Sequence, residues 1–248
     1  MIDVMRSEWT KMRSVRSTVW TLGSVPVLMV ALAVVGALAT VGAGDAGRLA
    51  DPVSTSLRGI VLASLVTATL GVIAISGEYR TGAIRTSLVA VPGRLRFLAA
   101  KAVVLTAVTL VVGVASAFAA FLAGRIAFAG RAGEVSLADP GVSRAVFGAG
   151  LYLAASGLFG LALGVLVRHT PGAIVTVCAL LMVLPTLVAL VPGELGRRLL
   201  EFTASNAGSQ VAVVHPTGMG PWTGFAVYLA WVALPLAAGA VLLGRRDA

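Results

Sequence analysis

The sequence predicts an all-α protein, a polytopic membrane helical bundle with six transmembrane helices, and three observations carry that prediction. Hydrophobic residues make up 58% of the 248 positions and charged residues only 12%, with a mean hydropathy of +0.98. Soluble domains hold roughly 45–50% apolar and about 25% charged residues, so this chain has too few charges to cover a water-facing surface. Six apolar runs reach the ~20 residues a helix needs to cross a bilayer. The Lys and Arg residues also favour one set of alternate loops, the pattern that orients a multi-pass protein.

Residues 1–19 form the first element. Ile2, Met5, Trp9 and Met12 fall at helical spacing, while Arg6, Lys11, Arg13 and Arg16 lie largely off that stripe. The pattern predicts an amphipathic helix at the membrane surface, its apolar side in the acyl boundary and its basic residues among anionic headgroups. Membrane lipid is therefore an expected partner.

Residues 20–248 form the membrane domain, with spans expected at about 20–41, 57–76, 102–124, 145–167, 172–191 and 223–243. Lipid offers no partner for backbone amides, so such runs are read as helices. Pro26, Pro185 and Pro235 lie inside them, which membrane helices tolerate. Ala37-Leu38-Ala39 has the small-residue pattern of a signal-peptide cleavage site. The apolar run before it is longer than the usual ~7–15 residues, and a long basic segment precedes it, so the first span is expected to be retained.

An even number of spans puts both termini on one side. That side carries twelve Lys and Arg with four acidic residues, against seven and six on the other, for net charges of +8 and +1. Both termini are therefore expected in the cytoplasm.

The inner loop 77–96 is the most distinctive segment. Ile84, Leu88 and Val91 share one helical face, and Pro92-Gly93 then ends the helix. A short helix parallel to the membrane would present Glu78, Tyr79, Arg80 and Arg85 to the cytoplasm or to a protein docked there.

At this loop the sequence resembles the permeases of the ABC-2 type, the membrane subunits of a class of ABC exporters. The matching residues are Glu78-Tyr79-Arg80-Thr81-Gly82-Ala83 and Leu88-Val89-Ala90-Val91-Pro92-Gly93-Arg94, with Ala99-Ala100-Lys101 opening the next span. Ser7-Glu8-Trp9-Thr10-Lys11 looks like the family's amino-terminal elbow, and Gly244-Arg245-Arg246-Asp247 is similar to its carboxyl-terminal end. Ala83 departs from the family, which often has Thr there. The outer segment 192–221 is similar to the family's external re-entrant region, and Leu195, Leu199 and Phe202 fall at helical spacing within it.

The resemblance implies a coupling helix between spans 2 and 3 that sits in a groove of a separate ABC ATPase (nucleotide-binding) subunit. Glu78, Tyr79, Arg80, Thr81, Gly82, Ile84, Arg85, Leu88, Pro92 and Arg94 would form that contact. It further implies a second permease copy, as a homodimer or with a close paralogue, in a bacterial inner membrane. ATP and Mg would be bound by the partner subunit, and no cofactor by this chain.

The search for other chemistry narrows the choice. No Gly-x-x-x-x-Gly-Lys-Ser/Thr motif occurs, so the chain is not its own ATPase. The basic balance has no basic run or aromatic platform beside it, and no nucleic acid is expected. Cys178 is the single cysteine, and with two histidines it offers no disulfide or metal cluster. No Asp, Glu, Lys or Arg is expected deep within a span, which disfavours proton-coupled or ion-channel mechanisms.

No catalytic residue is assigned. Ala154-Ala155-Ser156-Gly157 loosely resembles the Ser-Gly motif of rhomboid proteases. His169, a candidate base, lies about 20 Å along the helix from Ser156, beyond hydrogen-bond reach, and His215 falls in an outer loop. Ser156, Gly160 and Gly164 recur every fourth residue instead, the pattern of close helix packing. Two alternatives to a transport subunit stay open on the sequence: a non-catalytic membrane immunity or assembly protein, and an intramembrane serine hydrolase.

Overall fold

The computed structural model describes residues 2–42, 51–81, 93–129, 136–216 and 218–245, and every regular element among them is helical. In chain order these are α1 (Ile2–Ser14), α2 (Arg16–Gly42), α3 (Pro52–Ser56), α4 (Ile60–Thr81), α5 (Arg94–Phe128) and α6 (Val142–Val167). Then follow α7 (Thr170–Cys178), a π-helical turn (Ala179–Val183), α8 (Leu184–Val188), α9 (Gly193–Glu201), α10 (Ala204–Ser209), a 3-10 turn (Gln210–Ala212) and α11 (Pro221–Arg245). Six stretches among the described residues are long and apolar enough to cross a membrane: Arg16–Gly42, Pro52–Tyr79, Leu95–Phe128, Val142–Val167, Thr170–Val188 and Pro221–Leu242. The chain thus fits a multi-pass integral membrane protein.

Each stretch overlaps one expected span, and the ends differ for local reasons. Asp51 caps α3 by accepting the N–H groups of Val53 and Ser54, so the second stretch begins on a short capped turn before α4. Helix α5 starts at Arg94 rather than near residue 102, directly after Gly93 at φ +146°. Hydropathy discounts the two turns carrying Arg94, Arg96 and Lys101, but Arg, Lys, Leu and Ala are all good helix formers. Lys101 therefore lies inside a helix and not ahead of it. The fifth stretch is interrupted by the π turn just before Pro185. A proline ring collides with the carbonyl four residues back, and a wider turn removes that collision.

Helix α6 is the centre of the bundle: 78% of its apolar window is buried, against 17% for the fifth and sixth stretches. It packs on α4, α5 and α11, and small residues set how close those helices come. A Cβ on Gly160 would stand 1.8 Å from the carbonyl oxygen of Ala68, and one on Gly71 would stand 2.0 Å from that of Gly157. One on Gly164 would meet Ile75 and the backbone of Val72. The four-residue repeat of Ser156, Gly160 and Gly164 thus has Gly160 and Gly164 directly against α4. Ser156 faces another neighbour, its Oγ donating to the carbonyl of Tyr152 and lying 2.8 Å from the hydroxyl of Tyr228 on α11.

The segment after α8 folds back along α6. Gly148 lies against the carbonyl of Val211, and Gly208 lies against the rings of Tyr152 and Tyr228. Arg144 donates to the carbonyls of Val211 and Val214, at 3.4 and 2.9 Å. Tyr152 is ten residues beyond the start of α6, so the segment descends about 15 Å alongside it. Leu195, Leu199 and Phe202 are exposed, and Trp231 Nε1 donates to the Phe202 carbonyl.

Candidate functional site at the charged end of the bundle

The end of the bundle that holds α1 also holds the last turn of α4 and the first turns of α5. Four charged side chains from these helices meet there. Lys101 Nζ donates to Glu8 Oε2, and lies 2.8 Å from Glu78 Oε1. Lys11 Nζ lies 2.7 Å from Glu8 Oε1 and 3.3 Å from Glu78 Oε1. Both ammonium groups also lie over the ring of Phe97, at 5.4 and 5.8 Å from its centroid. Glu8 is 3% exposed, Lys101 6% and Glu78 8%. Among the described residues, Glu78 Oε2 is buried with no hydrogen-bond partner.

Burial of charge is unfavourable by itself, and the cluster answers this by alternating two carboxylates with two ammonium groups, so its charges cancel. Burial acts to raise the Glu8 carboxyl, but Lys101 and Lys11 outweigh it and hold the pKa below its ordinary 4.5. Burial likewise acts to lower the Lys11 ammonium, and the contacts with Glu8 and Glu78 outweigh it, so its pKa lies above 10.5.

The linkage has two signs. Glu8 contributes stability that is fully present above pH 4.5 and is lost as pH falls through its lowered folded value. Lys11 contributes stability that is fully present below pH 10.5 and is lost as pH rises through its raised folded value. Thermal unfolding of the detergent-purified protein should therefore lose stability on both flanks. Glu8→Gln should shrink the acid-side loss and Lys11→Met the alkaline-side loss. Equal acid-side slopes for wild type and Glu8→Gln would show that Glu8 is not engaged in solution.

The sequence reading turned Glu78 and Tyr79 outward, and the structure differs. Helix α4 continues to Thr81, which rotates Glu78 into the bundle toward Lys101. Tyr79 is half-buried, with the Arg168 guanidinium 5.3 Å from its ring centroid. Arg80 and Thr81 end α4, and Arg94 opens α5. Gly82, Ile84, Arg85, Leu88 and Pro92, with the expected coupling helix, lie outside the described residues.

The amino-terminal stripe divides its contacts. Ile2 opens α1. Met5 and Trp9 line an apolar groove with Val103, Ala107, Val108 and Val111 of α5, and Trp9 stays 51% exposed. Met12 packs on the buried group around Phe97, Leu98 and Leu105. Arg6, Arg13 and Arg16 are exposed. Glu8 shares the buried side of α1 with Met5 and Met12.

Sequence reasoning missed the cluster, although one signal was available. A glutamate between Met5 and Met12 on an otherwise apolar face requires a buried counterion. Its partner was hidden because Glu8 and Lys101 are 93 residues apart.

No family model matches the chain. No curated protein matches it either.

Proposed function

We propose that the chain is the transmembrane permease subunit of an ABC-2 type exporter, working in a bacterial inner membrane with both termini in the cytoplasm. In this reading it pairs with a second permease copy and is driven by a separate ATPase subunit that binds ATP and Mg. The observation that carries the proposal is the four-charge cluster, taken with the loop that resembles the ABC-2 coupling segment.

Segment 82–92 is the stretch between α4 and α5, and the cluster holds the two flanking helices to each other and to α1 through Glu78, Lys101, Glu8 and Lys11. A push on that segment is therefore delivered to three helices together. Such an arrangement suits a device that converts closure of a partner into rearrangement of a bundle, because packed helices move as units and not as continuously deformable bodies. The amphipathic α1, with Trp9 exposed and basic residues around it, supports an interfacial elbow in the same scheme.

Co-expression with an ABC ATPase subunit, sought among the neighbouring genes, should yield a complex that co-purifies from detergent. Gly82→Asp should reduce recovery of the ATPase by about tenfold, equivalent to ~1.4 kcal/mol, with the permease itself still folded. Undiminished assembly after deletion of residues 82–92 would defeat the docking claim.

A further inference from the structure

A second site lies at the same end of the bundle, between the last turn of α4, the end of α6 and the start of α7. It is a pocket of about 790 Å³ lined by Ser76, Tyr79, Arg168, His169, Pro171 and Ile174, among others. We propose that it binds a phosphate group of net negative charge carried on an apolar body, with an anionic phospholipid of the adjoining leaflet as the source.

The chemistry of the walls argues for this ligand. Among the described residues no acidic one lines the pocket. Arg168 supplies a guanidinium, and Tyr79 a hydroxyl that is buried with no acceptor among the described residues. Ser76 also lines the pocket and is only 2% exposed, and its Oγ is buried with no hydrogen-bond partner among the described residues. A buried hydroxyl without a partner is unfavourable, and an acceptor brought within reach by the ligand would remove that penalty. His169 Nδ1 accepts the Gly172 N–H at 3.2 Å, so in the neutral ring the proton sits on Nε2, a further donor. The nine-residue α7 begins here, with His169 as its cap, and its amino-terminal dipole favours an anion.

The remaining wall is apolar. Ile174 and Val175 continue from the polar end along α7, and Val175 is 67% exposed on one of the least buried spans. A ligand with its phosphate at Arg168 would lay an acyl chain along these residues. Basic pockets between membrane helices at the headgroup level take anionic lipid in this way.

Arg168 has a special backbone. It ends α6 in the left-handed conformation, at φ +58°. Asparagine adopts that conformation readily, so Arg168→Asn removes the charge without straining the turn.

The full-length protein, delipidated in detergent, would be titrated with phosphatidylglycerol, phosphatidylcholine of matched chains, and glycerol phosphate, with binding read by native mass spectrometry. Phosphatidylglycerol should bind more tightly than phosphatidylcholine. Arg168→Asn should weaken it about tenfold or more, as loss of a charge-assisted hydrogen bond does, and Ser76→Ala should weaken it a few-fold. Glycerol phosphate binding as tightly as the lipid, and equally sensitive to Arg168→Asn, would support the phosphate site but assign it to a soluble ligand. Wild-type affinity for phosphatidylglycerol in both variants would overturn the proposal. Should Arg168→Asn fail to fold, Ser76→Ala and Tyr79→Phe decide by the same criterion. The site does not rest on ATP coupling, so a failed ATPase complex leaves this result intact, and the converse holds.

Discussion

Replacing Lys101 with methionine should destabilise the folded bundle by about 3 kcal/mol or more, the loss expected when one partner of a buried ion pair is removed. Lys101 touches both carboxylates, and its own side chain is 7% exposed. Its removal leaves Glu8 and Glu78 sharing only Lys11, whose side chain is 43% exposed. Methionine lacks only the terminal nitrogen's position and fills most of the space, so the lost charge and not a large cavity would produce the effect. Adding Glu8→Gln and Glu78→Gln to Lys101→Met removes the stranded charges and should restore most of the loss. The measurement is thermal or denaturant unfolding of the purified protein in one detergent. Arg198→Ala is the control, because its pair with Glu194 is exposed on both sides and such pairs contribute little. A Lys101→Met variant as stable as wild type would show that the cluster does not hold the helices together.

The second large effect is expected at the contact between α4 and α6. Gly160→Ala places a methyl group 1.8 Å from the Ala68 carbonyl oxygen and 2.6 Å from its carbon. Both are backbone atoms that no side-chain rotation can move. The two helices must separate, and overpacking of this kind is unfavourable by about 1–3 kcal/mol. The upper part of that range is expected here, because α4 and α6 form the most extensive helix contact in the bundle. Gly23→Ala is the matching control. It lies in α2 with nothing within 4 Å of the added carbon, and alanine in an open helical site should be neutral or stabilising by up to about 1 kcal/mol. If the two variants unfold alike, the small-residue face is not a packing surface.

These two sites differ in how far the sequence foretold them. The spacing of Ser156, Gly160 and Gly164 was visible along one helix, because a four-residue repeat is a local property. Which helix it met was not visible. Gly160 and Gly164 meet α4, while Ser156 bonds toward Tyr228. The charge cluster was less accessible still. Glu78 and Lys101 each stood at the edge of an apolar run, where a charge reads as an ordinary loop residue. Only the continuation of α4 to Thr81 and the early start of α5 at Arg94 turned them toward each other. The Ser76 and Arg168 pocket likewise draws on three helices, and no short window of sequence contains it.

The sequence by itself determined the helical class and the existence of six stretches able to cross a membrane. Both follow from composition and run length, since a chain so poor in charge must satisfy its backbone internally and shed its apolar surface into lipid. It also determined that α1 is a helix with one apolar side. The tertiary structure decided which helix lies at the centre, how the segment after α8 descends beside it, and which charges are buried together. Those outcomes depend on pairings between residues tens of positions apart, where close approach of backbones and the need of each buried charge for a counterion select one arrangement. Neither term can be read along a single segment.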